Sequence, residues 1–456
     1  MTIEWAGALR RCGMRRVLFG LLLPLLVLGQ DRDFSKFNAR PSPPWARNAV
    51  IYEINVRAFS PAGNFQGITS RLDELSKLGV DLLWLMPIHP NGQLKKKGTL
   101  GSPYAVRDYY AIEPAFGTAA DLHALIDGAH QRGMKVIIDI VANHTAWDSV
   151  MMAHPEFYKK DASGRIIPPI PDWGDVAGLD YSNSELREYM TKVLEYWLRE
   201  FHLDGFRCDA AGMVPTSFWE QVRPLLDKIQ PSLFMLAEWN SPDLMVNAFD
   251  ADYEWPMHTA LTEVLQNGKP ASAVREVWNA ERRKFPRGTV HMYFSDNHDE
   301  KRAIARFGER GALAASALVF TLDGTPMIYD GMEVGDTTES GGPALFEPLK
   351  VFWPIAERRP EFRKFYEQMT ALRRQHRALR NGELEWLDNS DESRVLTFLR
   401  RSGEEDLLIA INLSSRPFNG AVKGVGAGFV PLGMQTPPLP ELRLDAWAWR
   451  IYRAAR

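Results

Sequence analysis

The chain has 456 residues, which is enough for one large domain and a second small one. Hydrophobic residues make up 45% and charged residues 24%, as in soluble globular enzymes, so long disordered stretches are not expected. The formal net charge of -3 gives no electrostatic reason to expect nucleic acid or an anionic membrane surface as a partner. The 14 tryptophans fit either an aromatic core or a surface that binds the flat apolar faces of sugars.

The first 29 residues have the pattern of a secretory signal peptide. Arg15 and Arg16 precede an apolar run over residues 17–28, and Gly29 offers a small side chain at a cleavage point. The run has about a dozen residues, whereas a membrane-spanning helix needs about 20. We therefore expect a signal peptide over residues 1–29, a secreted or periplasmic protein, and no stable membrane insertion of the mature chain. An uncleaved membrane anchor is the alternative.

Downstream of this segment, residues 30–47 are polar and rich in proline, which predicts a linker into the fold. From residue 50 onward, short apolar runs alternate with longer amphipathic stretches. Strands are predicted over residues 50–59, 81–87, 134–141, 204–209, 233–238, 290–295 and 326–329. Helices are predicted over residues 70–78, 121–132, 184–201 and 303–320, and from Thr216 onward.

Such alternation, with nearly continuous apolar strands, is typical of a parallel sheet covered by helices. We predict an α/β fold in which residues 48–380 form a closed (β/α)8 TIM barrel. An open doubly wound sheet is disfavoured because no glycine-rich nucleotide-binding turn follows the first strand. The proline-rich residues 145–181 are expected to form a short excursion domain after the third strand. In residues 381–456, strand-like runs of alternating apolar and polar residues are separated by turn residues. This pattern predicts a C-terminal antiparallel β-sandwich domain.

Polar side chains recur where the predicted barrel strands end. The third strand ends in Asp139, Asn143 and His144, and the fourth in Arg207 and Asp209. Glu238 ends the fifth strand, and the run from residue 296 to residue 299 follows the seventh. In a parallel barrel the catalytic groups come from the C-terminal ends of several strands. A single carboxylate there can simply cap the next helix, but three of them with two histidines and an arginine indicate a catalytic site.

Four of these blocks resemble the conserved blocks of the α-amylase family of glycoside hydrolases (family 13). They are DIVANH (residues 139–144), GFRCD (205–209), AEW (237–239) and DNHD (296–299), in the family's order and spacing. Further stretches are similar to barrel strands one, two and eight of that family: YEINVRAF, GSPYAVRDYY and GTPMIYDGME. The resemblance covers nearly the whole chain after the signal segment. It implies an enzyme that acts on α-glucans or maltooligosaccharides.

The resemblance also implies a role for each matching residue. Asp209 would be the nucleophile, Glu238 the general acid/base, and Asp299 the carboxylate that holds sugar hydroxyls in the transition state. Arg207 lies two residues before Asp209, so on a strand it faces the same side and would keep Asp209 ionised. The residues implied to bind substrate are Tyr104, His144, Arg207, Trp239 and His298. An apolar neighbour such as Trp239 would favour the protonated form of Glu238. Two flanking carboxyls imply double displacement with retention.

The calcium site of many family members is not expected here. Asn143 matches one ligand, but Gly178 stands where a liganding Asp would be expected, and the Lys-His pair that often follows the nucleophile is missing. Calcium needs six to eight oxygen ligands, so we predict no cofactor and no metal ligand set.

Two rival functions remain open at this stage. The first is an α-glucanotransferase of the same family, in which a sugar rather than water attacks the intermediate. The second, from a different class, is a non-catalytic amylase-like binding subunit. Relatives of that second kind lack part of the carboxylate triad, whereas this chain has all three carboxylates and Arg207.

Overall fold

The computed structural model describes residues 32–403, 405–432 and 437–455. The expected signal peptide lies outside these residues, so it stays a prediction. Within the described ranges no helix has the length and the apolar composition that crossing a membrane requires.

Eight parallel strands form a closed barrel, in which the first strand pairs with both the second and the eighth. The strands are Ile51–Ile54, Leu82–Leu85, Lys135–Val141, Gly205–Asp209, Phe234–Ala237, Ala251–Tyr253, Val290–Tyr293 and Thr325–Tyr329. Buried apolar side chains fill the interior, among them Ile51, Trp84 and Met292. This architecture confirms the predicted (β/α)8 barrel, and it brings the C-terminal ends of all eight strands to one rim.

Helices surround the barrel and bury apolar stripes against it. The helix over Ser184–Phe201 begins where the Asn183 side chain accepts hydrogen bonds from the backbone N–H groups of Glu185 and Leu186. The α-helices are Val56–Phe59, Phe65–Thr69, Leu72–Leu78, Ala119–Gln131, Ser184–Phe201, Thr216–Ile229, Leu244–Asn247, Trp255–Asn267, Ser272–Lys284, Ala303–Thr321, Pro360–Gln375 and Arg377–Asn381. Short 3-10 turns lie at Phe34–Lys36, Ala46–Asn48, Pro114–Phe116, Val150–Ala153, Pro155–Phe157, Ala211–Met213, Met332–Val334, Gly342–Phe346 and Trp353–Glu357.

Two details of the barrel differ from the sequence prediction. The first strand was predicted to run to residue 59, but it ends at Ile54 and Val56–Phe59 is a helix. The chain turns because the backbone N–H of Asn55 donates to Asp330 Oδ2 at 2.9 Å and the Asn55 carbonyl accepts from Phe59. The sixth strand, Ala251–Tyr253, has only three residues, one of them charged, so it gave no apolar run to recognise.

The segment expected to be a linker makes fixed contacts with the N-terminal face of the barrel. Ala46 is buried against the barrel interior, and the Trp45 ring lies 5.5 Å from that of Phe234. Arg40 Nη2 donates to Asp227 Oδ2 at 2.6 Å, and Ser42 Oγ donates to the Asp250 carbonyl at 2.8 Å. This stretch therefore covers the N-terminal end of the barrel. The opposite end, where the C-terminal strand ends carry the predicted site residues Asp209, Glu238 and Asp299, is called the catalytic rim below.

The excursion after the third strand is a small hairpin with long loops. His144–Ala146 pairs antiparallel with Val176–Gly178, and Trp147 Nε1 donates to the Gly174 carbonyl at 3.0 Å. The loop after the second strand packs against this hairpin, since Lys97 Nζ lies 2.8 Å from Asp175 Oδ1. The excursion thus borders the catalytic rim from one side.

The C-terminal region forms an antiparallel sheet of five strands and a smaller one of two. The larger sheet contains, in spatial order, Glu383–Leu387, Val395–Ser402, Glu405–Asn412, Trp449–Ala454 and Phe429–Pro431. The smaller one pairs Phe418–Ala421 with Glu441–Leu444. Apolar side chains of both sheets share one cluster, which confirms the predicted antiparallel domain. Buried Arg400 joins it to the barrel by donating to the carbonyls of Thr321 and Leu322, each at 2.6 Å.

Candidate active site

Arg207 lies at the centre of the catalytic rim, on the fourth strand. Its side chain is fully buried, and Nη1 donates to both carboxylate oxygens of Asp139 at 2.9 Å. The same Nη1 lies 3.3 Å from Asp209 Oδ1, and Nη2 lies 2.7 Å from Glu238 Oε1. One guanidinium therefore holds three carboxylates from three neighbouring strands, which its planar fork of donors allows.

Aromatic rings surround this guanidinium within the barrel. Its central carbon lies 5.0 Å from the ring centroid of Trp84, 5.6 Å from that of Tyr104 and 5.4 Å from that of Tyr253. Arg207 Nε also donates to the Tyr253 hydroxyl at 3.3 Å. These rings exclude water from the cation, which strengthens its interaction with the carboxylates.

Glu238 follows directly after the fifth strand and is held at both oxygens. Oε1 contacts Arg207, and Oε2 accepts a hydrogen bond of 2.7 Å from the backbone N–H of Ala210. Burial raises the pKa of Glu238 to about 8, against the opposing charge of Arg207 and with a further increase from Asp209 and Asp299. A carboxyl with this pKa is protonated at neutral pH and can donate a proton.

Asp209 ends the fourth strand, on the same side as Arg207. Burial raises its pKa to about 6, while the positive charge of Arg207 limits that rise. The carboxyl is therefore mostly ionised at neutral pH, and its Oδ2 has no hydrogen-bond partner in the described chain. An ionised carboxylate with one unpaired oxygen is available to act as a nucleophile.

His298 and Asp299 follow the seventh strand and lie beside Tyr104. His298 Nε2 lies 2.7 Å from the Tyr104 hydroxyl and 3.3 Å from Asp299 Oδ2, and the Tyr104 hydroxyl is 3.1 Å from Asp139 Oδ2. His298 Nδ1 hydrogen-bonds to the buried Glu53 on the first strand. Burial alone would lower the pKa of His298, but the negative charges of Asp299 and Glu53 outweigh it and raise the pKa to about 9.

The other two sequence-predicted binding residues lie at the edges of the site. His144 begins the excursion hairpin, and burial lowers its pKa to about 4, so its ring is neutral. Trp239 is 39% exposed, and its indole covers Gly212 so closely that a Cβ there would lie 2.2 Å from Nε1. Trp239 was expected to keep Glu238 protonated. Burial is the main cause of the elevated pKa of Glu238, and the neighbouring carboxylates add to it; the share of Trp239 in that burial stays a prediction.

Two carboxylates of the site were not assigned a role from the sequence. Asp139 is bound by Arg207 and Tyr104, and Glu53 is bound by His298. Both are fully buried, on strands whose other buried residues are apolar or aromatic. A charged residue inside an apolar strand was the available signal, because such residues are rarely buried without a partner.

The residues at the expected calcium position do not fit that ion. Asn143 Nδ2 lies 3.3 Å from His144 Nδ1 and 3.9 Å from the thioether of Met213, which is not a ligand for a hard cation. Gly178 carries no carboxylate, and a Cβ there would already lie 3.1 Å from the backbone of Pro169.

Comparisons with known proteins identify relatives of this chain. The catalytic-domain model of the α-amylase family matches residues 33–163 and 172–378. The alpha-amylase MalA of Haloarcula japonica is 32% identical over 308 residues, which cover 64% of this chain and 45% of that protein. The intracellular maltogenic amylase of Bacillus subtilis is 30% identical, with 81% of this chain and 69% of that protein covered. The crystal structure of a noncanonic maltogenic alpha-amylase, AmyB from Thermotoga neapolitana, superposes with a TM-score of 0.82 at 29% identity, covering 90% of this chain and 99% of that one.

The family model matches well over half of the chain, and the matched residues include the whole catalytic rim. The chain therefore belongs to the α-amylase family and is an α-amylase-type glycoside hydrolase.

Proposed function

We propose that this enzyme hydrolyses α-glucosidic bonds of starch-type α-glucans or maltooligosaccharides by double displacement with retention. The observation that best supports this proposal is that the Arg207 guanidinium contacts both Asp209 and Glu238. A shared cation brings the two carboxyls close to each other, as in retaining enzymes, whose two carboxyls lie about 5–5.5 Å apart, closer than the about 6.5–9.5 Å of inverting enzymes. Two relatives named maltogenic amylases support maltose-based substrates.

In the first step an Asp209 oxygen attacks the anomeric carbon while Glu238 donates its proton to the departing glycosidic oxygen. The bond from sugar to leaving group breaks, and a covalent glycosyl ester with Asp209 forms. The Glu238 carboxylate then takes a proton from water, whose oxygen attacks the same carbon and releases Asp209. The raised pKa of Glu238, to about 8, and the lower one of Asp209, about 6, support this division of roles.

Binding of the sugar in this proposal falls to the residues around the carboxylates. Asp299 and the protonated His298 would hold hydroxyl groups, and these bonds strengthen as charge develops at the anomeric carbon. Tyr104 would stack on the sugar beside the scissile bond, and neutral His144 would donate to or accept from a hydroxyl. Exposed Trp239 offers a further apolar surface at the mouth of the site.

Transglycosylation is the alternative within the family, and a non-catalytic binding subunit is the alternative outside it. The test is digestion of maltoheptaose, starch, pullulan and cyclodextrin, with proton NMR of the first products and an Asp209→Asn control for contaminating activity. We expect shorter products with initial α configuration, which the control does not form. Products longer than the substrate would favour the transferase, β products would overturn retention, and binding without turnover would identify the subunit.

We also propose that calcium is not required, because Asn143 and Gly178 do not form an oxygen-rich site. The measurement is the melting temperature and activity of chelator-treated protein with and without added CaCl2. Neither quantity should change. A rise of several degrees on calcium addition would show that other residues bind this ion.

A further inference from the structure

A second cluster of ionisable side chains lies on the outer face of the barrel, between the strands and the surrounding helices. Asp252 on the sixth strand is the register partner of His291 on the seventh, and Glu254 follows Asp252 by two residues, so all three share one side. Their neighbours Ala251, Tyr253 and Met292 point into the barrel interior. The three side chains therefore face the surrounding helices, beneath the end of the helix Ser272–Lys284.

The three groups are buried and in direct contact. Asp252 is 0% exposed, Glu254 2% and His291 7%. His291 Nδ1 lies 2.6 Å from Asp252 Oδ1 and 2.9 Å from Glu254 Oε2. The Phe285 ring covers the imidazole at a centroid distance of 4.9 Å.

Each carboxylate has one oxygen that the described chain leaves without a hydrogen-bond partner. These atoms are Asp252 Oδ2 and Glu254 Oε1, and both are buried. Leaving a buried charged oxygen unpaired is costly, and such groups in folded proteins are usually paired or bound to a metal. The cluster thus contains two carboxylates, each with one oxygen that can still accept a hydrogen bond or bind a metal, next to one imidazole.

The charge of the surrounding groups also favours a cation. Two carboxyl groups face one imidazole in a buried volume, and the acidic Glu281 of the covering helix lies near Asp252. A divalent cation bound by two carboxylates and a neutral imidazole would leave a net charge of zero on the ion and its three ligands.

We propose that Asp252, Glu254 and His291 bind a divalent transition-metal ion of the Zn²⁺ class. Their ligand atoms lie within 4.8 Å of one another. Zinc binds nitrogen and carboxylate oxygen at about 2.0–2.2 Å and accepts three protein ligands with a water as the fourth. Small side-chain rotations would lengthen the present contacts and make room for the ion. Calcium is not the ion, because one imidazole and two carboxylates fall short of six to eight oxygens.

Neighbouring polar groups are placed to orient one ligand. Asn240 Nδ2 lies 3.4 Å from Glu254 Oε2, and Lys284 Nζ donates to Asn240 Oδ1 at 2.7 Å. Lys284 is at the end of its helix, and its side chain is 43% exposed, so this is the edge of the cluster nearest to solvent. A residue that hydrogen-bonds to a metal ligand without touching the metal fixes the orientation of that ligand. The bound ion would join the sixth and seventh strands.

The test uses the full chain after exhaustive chelation, titrated with ZnCl2 alone and in parallel with CoCl2. We expect one Zn²⁺ per chain by calorimetry, a rise of several degrees in melting temperature, and visible absorption from bound Co²⁺. His291→Gln and Glu254→Gln should each weaken Zn²⁺ binding at least 100-fold. The matched control is His376→Gln, since among the described residues His376 pairs with a single carboxylate, that of Glu405, at 2.7 Å. That variant should bind Zn²⁺ as the unaltered chain does.

Unaltered protein that binds no Zn²⁺ at one equivalent would overturn the proposal, as would binding that both variants retain. If the variants do not fold, crystals of the unaltered chain soaked in ZnCl2 and measured at the zinc absorption edge decide the question. An anomalous peak between Asp252, Glu254 and His291 supports the site. A peak elsewhere only, or none, refutes it.

Discussion

At the scale of single residues, the protonation states of the carboxyls at the catalytic rim depend on the small number of cations in contact with them. The guanidinium of Arg207 contacts Asp139, Asp209 and Glu238, so three carboxyl groups compete for one cation. That shortage, together with burial, is what keeps Glu238 protonated and Asp209 ionised. The pairing of Arg207 with Asp209 could be predicted from their spacing of two along a strand. The participation of Asp139 and Glu53 could not, because it depends on which strands become neighbours.

Single substitutions of Asp209 and Glu238 should show which carboxyl is the nucleophile and which is the proton donor. Asp209→Asn removes the nucleophile and should abolish turnover of every substrate. Glu238→Gln removes the proton donor and should slow hydrolysis of natural glucans by about 10²–10⁴-fold. It should spare the first step with an activated maltosyl fluoride, whose leaving group needs little protonation. Mass spectrometry of Glu238→Gln after brief exposure to a fluorinated maltosyl fluoride should therefore detect a glycosylated peptide containing Asp209.

The unaltered enzyme serves as the control for that experiment, because its Glu238 activates water and should clear the adduct sooner. An adduct on a different peptide would contradict the assignment of the nucleophile. Equal slowing of the first step, formation of the glycosyl ester, with the glucan and with the fluoride in Glu238→Gln would contradict its role as proton donor.

The pKa values of the pair predict a bell-shaped pH profile. Activity needs Asp209 ionised, so it should fall as pH drops through about 6, and it needs Glu238 protonated, so it should also fall as pH rises through about 8. The two groups interact, so the limbs report values of the pair rather than of either residue. The measurement is kcat/KM for maltoheptaose between pH 4 and pH 10. A profile that stays flat from pH 7 to pH 10 would rule out Glu238 as the acid.

At the scale of elements, long periodic segments were predictable and short irregular ones were not. The helix over residues 184–201 appears with the predicted bounds because it has an Asn cap and a continuous apolar stripe. The first strand was predicted to end five residues too late, because Val56–Phe59 is largely apolar and the chain turns only through a contact with the distant Asp330. The three-residue sixth strand was missed because its neighbours in the barrel define it, not its own sequence.

Gly205 shows how closely two barrel strands approach at the base of the fourth strand. Its φ is +154°, and a Cβ there would lie 1.8 Å from the Phe234 carbonyl oxygen. Gly205→Ala should therefore cost more than about 3 kcal/mol of unfolding free energy, since two barrel strands would have to separate. Urea unfolding followed by circular dichroism is the measurement.

The matched control for that substitution is Gly268→Ala. Gly268 also has a positive φ, +73°, but nothing lies within 4 Å of the added Cβ. It should cost only about 1–2 kcal/mol, the strain of a left-handed alanine. Equal losses for the two variants would mean that backbone strain, not the contact between strands, makes glycine necessary at position 205.

At the scale of the whole molecule, the barrel and the C-terminal sheets followed from patterns that extend over many residues. How the two parts join did not. Arg373 and Arg400 are fully buried and bind backbone carbonyls such as those of Phe320 and Thr321, rather than carboxylates. In the sequence they are two arginines among many. Only the packed structure shows that Arg400 joins a strand of the C-terminal sheet to the barrel, and that Arg373 ties the helix Pro360–Gln375 to the carbonyls of Phe320 and Gly324.

Export from the cell is the remaining prediction at this scale, and it rests on Arg15, Arg16 and the apolar run over residues 17–28. The Bacillus subtilis relative is named an intracellular enzyme, so family membership does not decide the compartment. N-terminal sequencing of the protein made by producing cells should begin near Gln30 or Asp31. The control is Leu22→Arg, which interrupts the apolar run and should leave the unprocessed chain inside the cell. Active enzyme outside the cell that still carries residues 17–28 would show an uncleaved anchor. Unprocessed enzyme found only in the cytosol would show that this segment does not direct export.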